Sequence, residues 1–185
     1  MSIEKLKKEK EVTIKWRHYP LHPEIPKEGL SIRNRKNDQD KESRRAYAQF
    51  MEDQMLTEGL PYRRRSDINN SRMAQELAAW ADSQVEDDGF HHNLFKAYFA
   101  DNKNIGDKET LLEIVAETGL DTELARKSLE TRSYSDEVNR DWEFARENGI
   151  TGVPTFFAKD LFLYGSQPYE VLERFYNNLA KNDSA

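Results

Sequence analysis

Residues 149–158 carry the residue types whose spacing best suits a functional site. They read Gly-Ile-Thr-Gly-Val-Pro-Thr-Phe-Phe-Ala, so Pro154 stands directly before a run of β-forming residues. Proline has no backbone N–H and is therefore tolerated at the first residue of a strand but penalised inside one. An X-Pro bond can also be cis at modest cost. The pattern predicts a loop-to-strand junction at Pro154, where the proline either serves the strand start alone or belongs to a site.

The remaining reactive residue types lack the spacing that catalysis or metal binding requires. His18 and His22 are separated by a proline, and the adjacent His91 and His92 point apart in any regular structure. No carboxylate or cysteine stands at ligand spacing to them, so we predict no metal site. No serine lies in a Gly-x-Ser-x-Gly context, and no Gly-rich phosphate loop is present. The chain contains no cysteine, which rules out disulfides and thiolate metal sites within these residues.

Residues 149–158 resemble the Gly-Val-Pro-Thr-Phe loop of thioredoxin-like proteins, and in particular of DsbA-family oxidoreductases. Other segments fit the same family in order and spacing: Asn69-Asn70-Ser71, Leu94-Phe95-Lys96-Ala97-Tyr98-Phe99, Asn104-Ile105-Gly106-Asp107, Glu117-Thr118-Gly119-Leu120-Asp121 and Tyr164-Gly165-Ser166-Gln167-Pro168. Together they resemble the FrnE-like branch of the DsbA family. That branch is related to 2-hydroxychromene-2-carboxylate isomerase and kappa-class glutathione transferase, and the resemblance covers residues from about 5 to 179.

The resemblance implies a set of binding residues. It implies that Pro154 is cis and that the backbone of Val153 pairs with a substrate peptide or with glutathione as an added β-strand does. We therefore expect Val153, Pro154 and Thr155 to bind substrate. Asn69 and Asn70 are expected near the same substrate or glutathione, although a helix N-terminus capped by the following serine is an equally good interpretation. No catalytic residue is expected, because the family's nucleophile is a cysteine thiolate.

That thiolate belongs to a part of the family pattern that this sequence lacks. The family opens with a strand and then a Cys-x-x-Cys motif at a helix N-terminus, where the helix dipole lowers the thiol pKa. By this comparison the chain starts in the last two turns of that helix, and roughly 20–25 family residues are expected to be absent. The absent strand would lie between residues 12–17 and 155–158 and would leave both with bare edges. Three outcomes are open: residues 12–17 close the gap, the edges form a homodimer, or the chain is a truncated product of low stability.

The helices and strands that position these residues are predicted from hydrophobic periodicity and from the places of proline, glycine and capping residues. Val12, Ile14 and Trp16 alternate with polar residues, which predicts a strand over residues 12–17. A proline-punctuated loop is expected over residues 18–40. Ser71, Asp107 and Asp121 are predicted N-caps, and Gly149 is a predicted helix end. The predicted helices are 3–9, 42–57, one after Ser71, one through 90–99, 107–119, one after 121, 136–148 and one after Pro168, with a hairpin of 155–158 and 161–164.

This order predicts an α/β, thioredoxin-like fold with an all-helical insertion and without the first, central strand. Residues 1–41 and 131–185 are expected to form the incomplete core, and residues 42–130 the helical insertion. Six aromatic residues could line a pocket, but their helical spacing favours the core for most of them: Trp16, Tyr19, Phe50, Phe95, Tyr98 and Phe99.

Charge and hydropathy limit the classes of partner. Residues 1–65 contain 16 Lys and Arg against 11 Asp and Glu, whereas residues 66–185 contain 12 against 23. The acidic remainder opposes binding to nucleic acid, so we interpret the basic residues as a solvated face. No apolar run reaches the roughly 18–20 residues that span a membrane, and the charged first residues lack the apolar core of a signal peptide, so the default location is cytoplasmic. The basic residues concerned are Arg33, Arg35, Lys36, Arg44, Arg45 and Arg63-Arg64-Arg65.

Three functional hypotheses follow from the resemblance. The first is a thiol–disulfide oxidoreductase family protein acting on protein thiols or small-molecule thiols, although a chain without a thiol cannot perform the redox step itself. The second is a glutathione-dependent isomerase or transferase, with glutathione as a bound substrate or cosubstrate and no other cofactor. The third is a non-catalytic protein that binds extended peptides at Val153 and Pro154.

Overall fold

A computed structural model describes residues 2–10, 12–32 and 41–182. The chain divides into two compact units, one of Met1–Leu21 with Arg140–Ala185 and one of His22–Asn139. Whether residues 42–130 form a separate helical insertion remains a prediction. The described elements are α1 (Ser2–Lys10), β1 (Leu30–Ser31), α2 (Lys41–Thr57), β2 (Asp67–Ile68), α3 (Arg72–Gln84), α4 (Gly89–Phe99), α5 (Lys108–Glu117), α6 (Thr122–Thr131), α7 (Ser135–Glu147), β3 (Thr155–Ala158), β4 (Leu161–Tyr164) and α8 (Tyr169–Asn182).

The unit of residues 22–139 has a core built by α3 to α6. Leu77, Leu111, Ile114 and Val115 are fully buried there, and Trp80 is 4% exposed. Two of these helices, α5 and α6, begin at aspartate N-caps. The carboxylate of Asp107 accepts from Thr110 N at 2.9 Å, and that of Asp121 accepts from Glu123 N and Leu124 N at 2.9 and 3.0 Å. Both predicted aspartate N-caps are confirmed, because each satisfies N–H groups that the first helical turn leaves unpaired.

The predicted cap at Ser71 is wrong in its chemistry. Ser71 holds the position before α3, but its side chain makes no capping hydrogen bond. The Oδ1 atom of Asn70 instead accepts from Arg72 N at 2.9 Å, while the Ser71 hydroxyl accepts from Gln75 Nε2 at 3.1 Å. Several short polar side chains precede this helix, so residue type alone does not decide which of them turns toward the helix end.

Some predicted core aromatics are exposed. Phe95 on α4 is 45% exposed, and Phe50 on α2 is 56% exposed. Helix α2 has no residue described as buried, and Tyr47 on it is 65% exposed. Helical periodicity identifies an apolar face, but whether another element covers that face depends on tertiary packing. The basic residues Arg33, Arg35 and Lys36, like the rest of the predicted loop over 33–40, lie outside the described residues.

A glutamate in α3 joins two arginines beneath this core. Glu76 is 3% exposed and accepts from Arg72 Nε at 2.6 Å and from Arg132 Nη2 at 2.5 Å. Burial alone would raise the pKa of the Glu76 carboxyl, but the hydrogen bonds from Arg132 and Arg72 outweigh it and lower that pKa. Arg72 also donates to Ser135 O and Asn139 Oδ1, so the carboxylate ties α3 to the segment that begins α7.

The other unit combines both ends of the chain. Helices α1 and α8 pack together, with Leu6 at 6% and Leu172 at 2% exposure. Lys10 Nζ lies 2.7 Å from a carboxylate oxygen of Glu173 along the same contact. The predicted hairpin is confirmed: β3 pairs antiparallel with β4 from Thr155↔Tyr164 to Ala158↔Leu161, which leaves a two-residue turn. Lys159 in that turn has φ of 54°, the left-handed conformation that such tight turns require.

The predicted strand over residues 12–17 is wrong. Val12, Ile14 and Trp16 are half-buried while the residues between them are exposed, so the alternation exists, but the segment belongs to no sheet among the described residues. Arg17 Nη1 instead pairs with Asp141 Oδ1 at 2.8 Å, and His18 N donates to Asp141 Oδ2 at 2.9 Å. A strand needs a neighbour that supplies hydrogen bonds, and period-2 alternation says nothing about that neighbour.

Candidate functional site

The loop before β3 presents Val153 and Pro154 on the surface. Val153 is 52% exposed, Pro154 is exposed, and the peptide bond between them is cis. Helix α7 ends at Glu147, and the predicted glycine just beyond it, Gly149, has a φ of 61° that lets the chain turn out of the helix. The Thr155 hydroxyl donates to Gly152 O at 2.8 Å and closes the loop around the proline.

The hydrogen-bonding pattern of the hairpin determines which N–H and C=O groups of β3 point away from β4. Gly165 N donates to Pro154 O at 2.8 Å, so Pro154 faces β4. Antiparallel pairs alternate between facing the partner and facing away, so the N–H and C=O groups of Thr155 and Phe157 point to the opposite edge of β3. Among the described residues no strand pairs with that edge. The site is therefore an open strand edge directly after Val153 and Pro154.

Aromatic packing holds this edge on α7. The Phe157 ring centroid lies 4.8 Å from that of Phe144 on α7 and 5.8 Å from that of Phe162 on β4. The guanidinium of Arg17 lies 4.4 Å from the Phe144 centroid, and its partner Asp141 is 8% exposed. The rings pack in stacked and tilted arrangements that aromatic quadrupoles favour, and this packing holds β3 against α7.

The predicted residues Asn69 and Asn70 lie in the other unit and differ from each other. Asn70 Nδ2 donates to Ile25 O at 2.6 Å while its Oδ1 holds the start of α3, so both polar atoms are engaged within the unit. Asn69 lines a cavity of about 250 Å³ together with Arg65. The structure thus brings Val153, Pro154 and Thr155 together in one site, and it places Asn69 at a second concave surface.

The environment of Arg65 could not be predicted from the sequence. The run Arg63-Arg64-Arg65 indicated a solvated basic face, yet its members have separate environments. Arg64 pairs with Glu52 at 2.5 Å, whereas the Arg65 guanidinium lies 3.2 Å from the centroid of the Tyr98 ring and is partly buried. No sequence signal separates three identical neighbours, because the difference comes from the ring that Arg65 meets in the folded unit.

The histidines form local pairs. His91 Nε2 lies 2.7 Å from Asp82 Oδ1, and His22 Nδ1 lies 3.3 Å from Glu24 Oε1. Over the described ranges, no group of three or more His, Asp or Glu side chains comes close enough to hold a metal ion. Within the same ranges, no helix is long and apolar enough to cross a bilayer. Residues 1–185 contain no thiol, so these residues cannot supply a nucleophile for thiol–disulfide exchange.

Comparisons with known proteins agree with this architecture. The sequence matches the DSBA-like thioredoxin domain family over residues 1–177. It is 35% identical over 86 residues to the uncharacterized protein YwbO of Bacillus subtilis, a stretch that covers 46% of this chain and 43% of that protein, so the matched stretch spans less than half of that relative.

Two solved structures extend the agreement to the fold. A probable DsbA oxidoreductase from Streptomyces coelicolor superposes with a TM-score of 0.75 at 28% identity, over 83% of this chain and 69% of that one. A 2-hydroxychromene-2-carboxylate isomerase superposes with a TM-score of 0.72 at 18% identity, over 98% of this chain and 88% of the other, which shows a shared fold. The cysteine-free chain, with its thioredoxin-like α/β fold, belongs to the DsbA-like thioredoxin family.

Proposed function

We propose that this chain is a substrate-binding member of the FrnE-like branch of thiol–disulfide oxidoreductases, and that it holds extended, thiol-bearing peptides at the open edge of β3. The observation that carries the proposal is the pair of outward-facing backbone positions, Thr155 and Phe157, directly after the exposed Val153 and Pro154. An extended peptide can add to such an edge as another strand, with main-chain hydrogen bonds supplying the affinity. The motifs between residues 94 and 168 support the FrnE-like assignment.

The chemistry of residues 1–185 limits what this binding can lead to. Thiol–disulfide exchange needs a thiolate that attacks a sulfur, and these residues contain none. The proposed role of these residues is therefore to hold the peptide. Protein thiols and small-molecule thiols are the proposed partners, and the cytoplasm is the proposed location, which fractionation of cells can test.

Glutathione is the second ligand that we propose for the same edge. The exposed backbone beside Pro154 favours it as much as it favours a protein segment, because glutathione is itself a short extended peptide with a central thiol. Binding of glutathione in preference to longer peptides would support a glutathione-dependent isomerase or transferase. Binding of longer peptides would support the oxidoreductase assignment.

The test compares two substitutions at Thr155. Thr155→Pro removes the N–H that faces the open edge, whereas Thr155→Val keeps that N–H and the β-branched shape and loses only the hydroxyl bond to Gly152 O. Binding of a fluorescein-labelled, cysteine-containing unstructured peptide is followed by fluorescence anisotropy. We expect the proline variant to bind this peptide about three- to tenfold more weakly, because one main-chain hydrogen bond contributes about that much to the affinity. The valine variant should bind like the unmodified chain.

Two results would count against peptide capture. Equal affinity of both Thr155 variants would mean that the β3 edge takes no part in binding. A chain that elutes as a dimer in size-exclusion chromatography, and becomes monomeric only as the Thr155→Pro variant, would show that a second copy occupies the edge instead. Circular dichroism of both variants separates these outcomes from misfolding.

A further inference from the structure

A polar cavity lies beside the short β1–β2 ladder in the unit of residues 22–139. The ladder pairs Leu30 with Ile68 and Ser31 with Asp67, and Ile32 N continues it by donating to Ser66 O at 2.8 Å. Gly29 enters the ladder at φ of 84°, and a Cβ there would meet Ile68 O at 3.1 Å. The close approach of the two strands thus depends on glycine, and it gives the cavity a defined wall.

Arg65 is the unusual member of this wall. Its guanidinium lies over the Tyr98 ring at 3.2 Å and 5.4 Å from the Phe99 centroid. Within the part of the chain that the structure describes, its Nη1 is buried and has no hydrogen-bond partner. Burial lowers the pKa of Arg65 to about 10, so the group remains charged at neutral pH. Arg65 also lines the cavity, so its positive charge attracts an anionic group that enters there.

The remaining lining groups define what kind of anion fits. Asn69 and Asn104 bring side-chain amides, whereas Glu28 and Asp67 bring carboxylates that are exposed to solvent. A simple anion at Arg65 would share the cavity with both carboxylates and be repelled by them. A ligand that carries an ammonium group beside its carboxylate turns that repulsion into attraction.

The size of the cavity limits the ligand further. The volume of the cavity is about 250 Å³. It lies below the range of about 300–1,000 Å³ typical of drug-sized ligands. A single amino acid, or the terminal residue of a short peptide, is of the right size.

We propose that this cavity binds a small zwitterion of the amino-acid type, with its carboxylate on Arg65 and its ammonium group toward Glu28 and Asp67. Arg65 is partly buried whereas Glu28 and Asp67 are exposed, so the carboxylate of the ligand is the end that lies deeper. The site is independent of the β3 edge and of thiol chemistry, so it does not rest on the function proposed above.

Three related probes that differ in their charged groups test the charge requirement. L-Alanine carries both charged groups, propionate carries the carboxylate alone and ethylammonium carries the cation alone. Each is titrated into the ¹⁵N-labelled full chain while backbone amide signals are followed. We expect L-alanine to bind more tightly than either single-charge probe and to shift amides of residues 29–31 and 65–69.

Substitutions locate the binding groups. Arg65→Gln should weaken L-alanine binding about tenfold or more, because it removes the charged donor. Arg63→Gln is the matched control, since Arg63 is an exposed neighbour outside the cavity, and it should bind L-alanine normally. Asp67→Asn should weaken L-alanine and strengthen propionate, and this reversal would be informative even if the Arg65 variant failed to fold.

Three results would overturn the proposal. The first is that L-alanine shifts none of these amides at any concentration up to its solubility limit. The second is that the folded Arg65→Gln chain binds L-alanine as tightly as the unmodified chain. The third is that propionate binds as tightly as L-alanine, because a site for simple carboxylates would need neither Glu28 nor Asp67.

Discussion

Glu76→Gln is the substitution that most directly tests the account of the helical unit. The change keeps the size of the side chain and removes the charge that joins Arg72 to Arg132. Glu76 is 3% exposed, and besides the two short bonds it accepts from Arg132 Nε at 3.2 Å. The loss therefore affects three charge-assisted hydrogen bonds to a carboxylate that is itself largely shielded from water.

The expected magnitude follows from the exposure of the two arginines. Removing one member of a fully buried ion pair costs about 3–5 kcal/mol. The Arg132 side chain is 58% exposed and regains water, and Arg72 keeps its bonds to Ser135 O and Asn139 Oδ1. We therefore expect the free energy of unfolding to fall by about 2–3 kcal/mol, below the fully buried range. At roughly 2–4 °C per kcal/mol, the midpoint of thermal unfolding should fall by about 4–12 °C.

The assay is urea unfolding followed by circular dichroism at 222 nm, with Glu109→Gln as the matched control. Glu109 also sits in a helix and pairs with an arginine, Arg126, at 2.9 Å, but its side chain is 66% exposed. Exposed pairs of this kind contribute little, so the control should unfold close to the unmodified chain. Equal free energies of unfolding for the two variants would refute the conclusion that the buried Glu76 stabilises the unit by linking the two arginines.

The same variant predicts a pH dependence with a definite sign. The pKa of the Glu76 carboxyl is lowered in the folded chain from its ordinary value of 4.5. The folded state then gains stability from the ionised group above pH 4.5 and loses it as the pH falls toward the folded pKa. The stability difference between the unmodified chain and Glu76→Gln should therefore shrink below pH 4.5. A difference that grows on acidification would contradict the sign of the pKa shift.

Two further predictions concern the caps and the core. Asp107→Ala should lower the free energy of unfolding by about 1 kcal/mol at pH 7, because Thr110 N loses its acceptor. That cost should vanish as the pH falls below the ordinary aspartate pKa of 3.8, since the hydrogen bond lowers the pKa of Asp107, and a cost that persists in acid would refute a charge-based cap. Leu77→Ala should cost about 2–5 kcal/mol in urea unfolding, because Leu77 is fully buried. Leu124→Ala, at a position 50% exposed, should change stability by about 0.5 kcal/mol or less, and comparable losses for both would mean that Leu77 is not a core residue.

Local chemistry made much of the fold predictable from the sequence. Asp107 and Asp121 cap their helices as expected because a carboxylate satisfies the N–H groups a few residues later, which is a short-range event. The helix end at Gly149 and the β3–β4 hairpin depend on the same short range. The family assignment depended on the order of several weak motifs along the chain.

Apart from the cap at Ser71, where the side chain of the neighbouring Asn70 accepts instead, the errors concern partners that lie far away in sequence. Residues 12–17 alternate as a strand does, but Arg17 pairs with Asp141 and the segment finds no strand beside it in the described ranges. The two-residue strands β1 and β2 are too short to show periodicity, so neither they nor the cavity beside them was foreseen. The environment of Arg65 depends on Tyr98, which is a neighbour only in the folded unit.

The assembly of one unit from both chain ends has a consequence for synthesis. Helix α1 packs against α8, so Leu6 leaves the ribosome long before Leu172 exists. At roughly 5–20 residues per second, the delay between the two is about 8–33 s. Residues 22–139, by contrast, are contiguous and complete their unit during that interval. During translation the apolar face of α1 therefore waits without its partner, and this nascent segment is the one that a chaperone at the ribosome exit would encounter.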